Sequence, residues 1–193
     1  MKYLIIIDPQ NDFVEGGALG IRGAKEALEN IIPLLDRKWE KIIVSLDSHN
    51  PTHMGFKLPK TELLTMIRKD HLGKLDKWPK HCVKDTPGWE IYEPLWKKLR
   101  KLGNVEYVMK GENDLEEDYS AWKYLPLGKD DKPELHFAGL AMDYCVLETI
   151  KEGVKNRPEA DFILHVKATA PVGTYEHAQE LYSELKINYE SGN

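Results

Sequence analysis

The sequence predicts an α/β domain of three layers, α/β/α, around a central, mostly parallel sheet of five or six strands. Three observations carry that prediction. Short apolar runs alternate with segments of helical periodicity from one end of the chain to the other. The runs are apolar throughout instead of alternating with polar residues, the mark of strands buried on both faces. Strands separated by helices pair in parallel, with helices covering both sides of the sheet.

The elements follow in order. Lys2–Ile7 is the first buried strand, closed by Asp8. Gly23–Trp39 places Ala24, Leu28, Ile31, Ile32 and Leu35 at helical spacing, and Lys41–Leu46 is the second strand. Thr61–Lys69 reads as a short helix. Glu90–Lys101 is amphipathic through Ile91, Leu95 and Leu99, and Val105–Met109 is the third strand. Glu134–Gly139, Asp143–Lys155, Asp161–Val166 and Thr174–Lys186 complete the pattern as strand, helix, strand and closing helix. Between the third and fourth strands, Lys123–Lys132 is a polar loop containing Gly and Pro.

With 193 residues the chain is long enough for one sizeable domain and short for two, so residues 1–193 are expected to form a single domain. A net charge of −5 without a basic cluster argues against nucleic acid or an anionic membrane as partner. No apolar run is long enough to span a bilayer. Cys82 and Cys145 form no disulfide-like framework, which fits free thiols in a reducing cytoplasm. Homo-oligomerisation stays open at this level.

In such sheets ligands bind beyond the carboxyl ends of the strands. Asp8, Asp47 and Lys110 directly follow the first three strands, and Cys145 follows the fourth by one turn. By itself Cys145 reads as a small buried hydrophobe. At a helix start, however, the macrodipole and unpaired N–H groups lower a thiol's pKa and can hold an oxyanion. A cysteine nucleophile also needs a proton acceptor and a cation, which Asp8 and Lys110 would supply. Asp47-Ser-His49 presents two ligands on one loop, and His81 from a separate loop would make a three-ligand metal site with open positions. His53 could be a fourth ligand, a support behind a ligand, or a substrate contact.

Five motifs in order carry a resemblance: Asp8-Pro-Gln-Asn-Asp-Phe13, Asp47-x-His49-x-Pro-x-x-His53, Trp78-Pro-x-His81-Cys-Val, Lys110-Gly with Asp118-Tyr-Ser-Ala-Trp122, and Gly139-Leu-Ala-Met-Asp-Tyr-Cys145-Val. Together they resemble the nicotinamidase branch of the isochorismatase-like cysteine hydrolases. The resemblance implies hydrolysis of nicotinamide to nicotinate and ammonia in NAD salvage, with pyrazinamide as a second small-molecule amide substrate. Cys145 would attack the carboxamide and form a thioester, with Asp8 moving the proton and Lys110 favouring the thiolate. The backbone N–H groups of Ala141 and Cys145 would hold the oxyanion, at a turn with a cis peptide between Leu140 and Ala141. Asp47, His49 and His81 would hold one divalent transition metal, zinc foremost, with iron or manganese as alternatives. Phe13, Trp78 and Tyr119, with Tyr144 beside the cysteine, would wall the substrate ring.

The chain also departs from the family pattern. Ser48 stands where Trp is common, which is expected to open one side of the metal loop. Asp85-Thr-Pro-Gly-Trp-Glu90 replaces a Gly-Thr-x-Gly-x-Glu run, Ala141-Met142 replaces Ala-Thr, and Lys167-Ala-Thr-Ala replaces Asp-Ala-x-Ala. The readings that compete are a metal-free or different small-amide hydrolase of the superfamily and a catalytically silent binding or scaffold member. Asp47, His49 and His81 speak against the metal-free branch, and the retention of Asp8, Lys110 and Cys145 speaks against the silent one.

Overall fold

The computed structural model describes residues 1–56, 78–129 and 132–191, so the helix expected at Thr61–Lys69 lies outside the described residues. Six strands form one sheet in the order β3-β2-β1-β4-β5-β6, and every neighbouring pair is parallel. They are β1 Lys2–Ile7, β2 Lys41–Asp47, β3 Val105–Lys110, β4 Glu134–Leu140, β5 Asp161–Ala170 and β6 Asn188–Glu190. The helices are α1 Ala24–Ile31, α2 Glu93–Leu99, α3 Leu147–Asn156 and α4 Tyr175–Tyr182.

Alternation along β1 explains the layers. Leu4 and Ile6 point to one face, where Ile42 and Val44 of β2 join Leu28 and Ile31 of α1 and Leu95 and Leu99 of α2. Tyr3, Ile5 and Ile7 point to the other, with Leu135 and Phe137 of β4, Ile150 of α3, and Ala178 and Tyr182 of α4. Both faces of β1 are therefore dry, which is why its sequence is apolar without a break. Each fully buried side chain of this size contributes about 1.5–3 kcal/mol.

Several element bounds differ from expectation for local reasons. Pro33 has no N–H to give, so the first helix is α only to Ile31 and continues as a 3-10 segment over Ile32–Asp36. The second starts at Glu93, because Asn11 and Asp12 donate their N–H groups to the carbonyls of Glu90 and Gly88 and hold those residues in a loop. The helix expected over Asp143–Lys155 opens instead with a π turn, Met142–Val146, before α3. Thr174 caps α4 by accepting from His177 N–H at 3.2 Å, but that helix stops at Tyr182 and a sixth strand follows.

The chain moves from β1 outward through β2 to β3, then returns to pair β4 on the other side of β1. That reversal opens a crevice between the carboxyl ends of β1 and β4, where ligands bind in such sheets. Gly139 makes the close approach there: its φ is +110°, and a Cβ would run into the backbone carbonyl of Ile7. The Leu140–Ala141 peptide that follows is cis. Among the described residues, no helix is long and apolar enough to cross a membrane.

Candidate active site

Register places the first groups. Asp47 and Lys110 are partners at the ends of β2 and β3, and Asp8 leaves β1 beside them with a left-handed φ of +46°. That backbone turn aims the Asp8 side chain back over the sheet end, where Oδ1 accepts the Ser45 hydroxyl at 2.6 Å. Lys110 is 1% exposed, and its ammonium is the hub of the site. Nζ lies 2.9 Å from Asp47 Oδ1, 3.0 Å from Asp8 Oδ2, 3.2 Å from the Asp118 carbonyl and 3.4 Å from Cys145 Sγ. Asp8, Lys110 and Cys145, far apart in sequence, are thus brought together. Asp8 Oδ2 meets Lys110 as an ion pair but makes no hydrogen bond, so this buried oxygen keeps a lone pair for another proton.

Cys145 does not sit in the first turn of an α-helix as expected; it sits in the π turn ahead of α3. The turn is pinned by neighbours: Thr149 Oγ1 donates to the Cys145 carbonyl at 2.6 Å and Tyr182 OH to the Met142 carbonyl at 2.7 Å. Met142 is fully buried in the core that holds Ile5, Phe137 and Tyr182, so the hydroxyl of the usual Thr is exchanged for apolar packing. The expected lowering of the Cys145 pKa is also reversed. Burial pushes the thiol well above its ordinary value, Lys110 opposes this, and Asp8 and Asp47 add to it. The resting sulfur is a thiol that must hand its proton over.

The two carboxylates are driven apart by their surroundings. Burial raises Asp8, against the pull of Lys110, whereas at Asp47 the effect of burial is overcome by His49 and Lys110, which hold it well below the ordinary range. Burial alone would lower Lys110, but Asp47 and Asp8 raise it and keep it an ammonium. Asp8 is therefore the group able to exchange a proton, and Asp47 is the permanent anion.

Asp47, His49 and His81 are all buried and offer ligand atoms within 4.8 Å of one another. His49 Nε2 lies 2.7 Å from Asp47 Oδ2 and His81 Nε2 3.4 Å from the same oxygen. Each ring is oriented from behind by a carbonyl that can only accept: Gly111 O at 3.0 Å from His49 Nδ1, and Pro79 O at 2.7 Å from His81 Nδ1. Both rings therefore carry Nδ1–H and turn Nε2 inward, the arrangement of metal-ligating histidines. Burial would lower the His49 pKa, but the Asp47 charge and hydrogen bond raise it. A carboxylate and two imidazoles fit a divalent transition metal. Gly111 leaves the room, since a Cβ would come within 2.7 Å of His49 Cε1 and 2.9 Å of Asp47 Oδ1.

His53 is placed differently. Its Nδ1 accepts from Gly55 N–H and its Nε2 donates to the Glu116 carbonyl, both at 3.1 Å, while its ring lies 4.2 Å from that of His49. Both nitrogens are used by the backbone, and burial lowers its pKa to about 4, so it packs behind the ligand as a neutral ring.

These groups open onto a narrow cleft lined by Phe13, Trp78, Tyr119, Tyr144, Ala141 and Cys145. The aromatic residues support one another, with Trp78 Nε1 donating to Tyr119 OH at 2.9 Å and the Trp78 and Tyr144 rings meeting edge-on at 5.0 Å. Leu19, Ile21, Glu117 and Val172 also line the cleft and were not read from the sequence. Glu117 directly precedes the Asp118-Tyr119 motif, a signal that could have found it; burial and the Asp47 charge raise its carboxyl to about 7. Ser48 does not open the metal loop. It is 1% exposed, and Trp89, from the rearranged 85–90 run, reaches over to donate Nε1 to its hydroxyl at 3.1 Å.

Comparison with known proteins gives one consistent set of matches. The isochorismatase domain matches residues 2–183. A nicotinamidase of Schizosaccharomyces pombe is 32% identical in an alignment of 170 positions that covers 76% of this chain and 73% of that protein. The Escherichia coli nicotinamidase is 31% identical, over 80% of this chain and 76% of its own. Among solved structures, the yeast nicotinamidase Pnc1p superposes with a TM-score of 0.81 at 26% identity, covering all of both chains.

Proposed function

The chain belongs to the isochorismatase family, and from that premise we propose that it is a metal-dependent nicotinamidase, converting nicotinamide and water to nicotinate and ammonia. The observation that carries this reading is the Lys110 ammonium, buried between Asp8, Asp47 and Cys145 at the floor of an aromatic cleft beside the Asp47–His49–His81 group.

Asp8 Oδ2 accepts the Cys145 thiol proton as sulfur attacks the carboxamide carbon, so ionisation and attack are coupled and no standing thiolate is required. Lys110 offsets the negative charge on sulfur. The oxyanion forms at the Ala141–Cys145 turn, where the N–H groups of those two residues receive it. Asp8 then returns the proton to the departing nitrogen, which leaves as ammonia, and Cys145 holds a nicotinoyl thioester. A water loses its proton to Asp8 and cleaves the thioester, and the sulfur recovers a proton as nicotinate forms. Phe13, Trp78, Tyr119 and Tyr144 hold the ring and exclude bulk water. Asp47, His49 and His81 would hold a divalent metal, zinc first among the candidates and iron or manganese after it, which would supply Lewis acidity toward the ring nitrogen. Pyrazinamide, with a nitrogen at the same ring position, is a second substrate. Two free thiols suit a cytoplasmic setting, and residues 1–193 work as one hydrolase domain.

Ammonia release by the purified, metal-loaded protein tests the proposal. Turnover of nicotinamide that disappears in Cys145→Ala supports it. No turnover of nicotinamide or pyrazinamide by the wild type refutes it.

A further inference from the structure

A second cluster of ligand-type side chains lies away from the cleft, on β4, β5 and β6. His136, in the amino-terminal half of β4, is 6% exposed and His165 of β5 is 3% exposed, while Glu190 of β6 is half-buried. The cleft chemistry uses none of them. The rings of His136 and His165 stack at 5.1 Å, and Trp39 covers His136 edge-on at 4.8 Å.

The hydrogen bonds fix the tautomers. Glu134 is held ionised chiefly by Lys2, so its Oε1 can only accept, and it does so from His136 Nε2 at 2.7 Å. A neutral His136 then presents an Nδ1 lone pair, and His165 Nε2 donates to it at 2.9 Å. The remaining nitrogen, His165 Nδ1, therefore carries a lone pair, and it faces Glu190 Oε2 at 3.7 Å. Arg37 holds the other Glu190 oxygen at 2.6 Å. An imidazole lone pair and a carboxylate oxygen thus oppose each other across a gap too wide for a hydrogen bond.

We propose that His136, His165 and Glu190 form a second metal site, separate from the Asp47 group, that takes a nitrogen-preferring divalent ion such as zinc and ties β6 to the sheet. The ligand atoms of the three residues lie within 4.8 Å of one another. Zinc bonds of about 2.1 Å in a tetrahedral shell set neighbouring ligand atoms about 3.4 Å apart, so the separations close by up to about 1.4 Å when all three bind. The 3.7 Å gap between His165 and Glu190 is already close to that spacing. Glu134 behind His136 is the carboxylate that orients a metal-bound imidazole from its far side, and His136 Nδ1 reaches the ion by giving up the hydrogen bond it accepts from His165 Nε2. Lys2 and Arg37 neutralise Glu134 and Glu190, so the site lacks the excess anionic oxygen that magnesium or calcium requires. The half-buried Glu190 provides the route of entry. Three donors on three adjacent strands would fasten the three-residue β6, which is otherwise an edge strand with one neighbour.

The test is zinc stoichiometry by equilibrium dialysis and elemental analysis on the wild type, Glu190→Gln and the double variant His136→Gln/His165→Gln. The comparison is with the wild type's own count, so it does not depend on whether the Asp47 group is loaded. One ion per chain fewer in both variants, with nicotinamide turnover unchanged, supports the site; equal counts in all three proteins overturn it. Crystals of the unsubstituted protein soaked in zinc read the same site without relying on variants that fold. An anomalous peak bounded by the three side chains is the expected result, and its absence at a zinc concentration that fills the Asp47 group overturns the proposal. Thermal unfolding should rise with zinc in the wild type by several degrees more than in Glu190→Gln, and should not respond to magnesium.

Discussion

Replacing Asp8 with Asn separates catalysis from stability at the most heavily buried part of the site. Asn keeps the shape of the side chain and tolerates the φ of +46° at this position. What it removes is the charge that pairs with Lys110 at 3.0 Å and accepts from Ser45 at 2.6 Å. A hydrogen bond to a charged group is worth about 1.5–3 kcal/mol. Against this, Asp8 is fully buried, and the ionised carboxylate bears a desolvation penalty of several kcal/mol that the amide escapes. Lys110 is not stranded, because Asp47 Oδ1 remains at 2.9 Å and the Asp118 carbonyl at 3.2 Å. The two effects are of similar size, so the folding free energy should change by less than about 2 kcal/mol in either direction. Activity should behave differently. Without the Oδ2 lone pair the thiol has no acceptor, and loss of a positioned proton-transfer group lowers kcat/KM by about 10²–10⁴-fold. Urea unfolding and ammonia release on the same preparation measure both quantities. Asp8→Asn turning over within tenfold of the wild type would refute the proton route. A collapse of stability by more than about 4 kcal/mol would refute the charge balance described for Lys110.

Other outcomes follow from the same geometry. Removing metal with a chelator should suppress ammonia release, zinc, manganese or iron should restore it, and His81→Ala should need at least about tenfold more metal for recovery; full activity in metal-free protein would remove that group from the reaction. Gly139→Ala forces a Cβ into the Ile7 backbone at a φ of +110°, and should cost more than about 3 kcal/mol in urea unfolding. A mild effect would mean that the β1 and β4 ends can move apart. His165 titrates at about 4 in the folded chain and near 6.5 when unfolded, so the unfolded state binds the extra proton in that window. In metal-free protein its contribution to stability is therefore present above pH 6.5 and lost as the pH falls toward 4, and His165→Gln should flatten the profile between those values. A wild-type curve already flat there would contradict the buried neutral pair.

Much of this was readable from residue order, and the parts that were not have physical reasons. Continuous apolar runs located five strands, because a sheet covered on both faces demands them. The sixth escaped because Asn188-Tyr-Glu190 is short and polar, an edge strand with only one neighbour to satisfy. The helix after β1 is shorter than its sequence suggests, since apolar spacing persists through Ile32–Leu35 although Pro33 ends the α geometry. Asp8, Lys110 and Cys145 were found as strand-end residues within motifs, but the direction of the Cys145 pKa was not. That depends on burial beside two carboxylates, which no local sequence displays. Leu19, Ile21 and Val172 line the cleft without belonging to any motif. The compensation of Ser48 by Trp89 joins residues 41 positions apart, and only the folded chain reveals it.

Acid-quenching the wild-type protein during turnover and locating the acyl group by peptide mass spectrometry tests the central claim most directly. The account predicts a nicotinoyl thioester on Cys145 alone, with no adduct and no ammonia release in Cys145→Ala. Steady turnover with no acyl group on Cys145, or with the adduct on Cys82 or another residue, would contradict it.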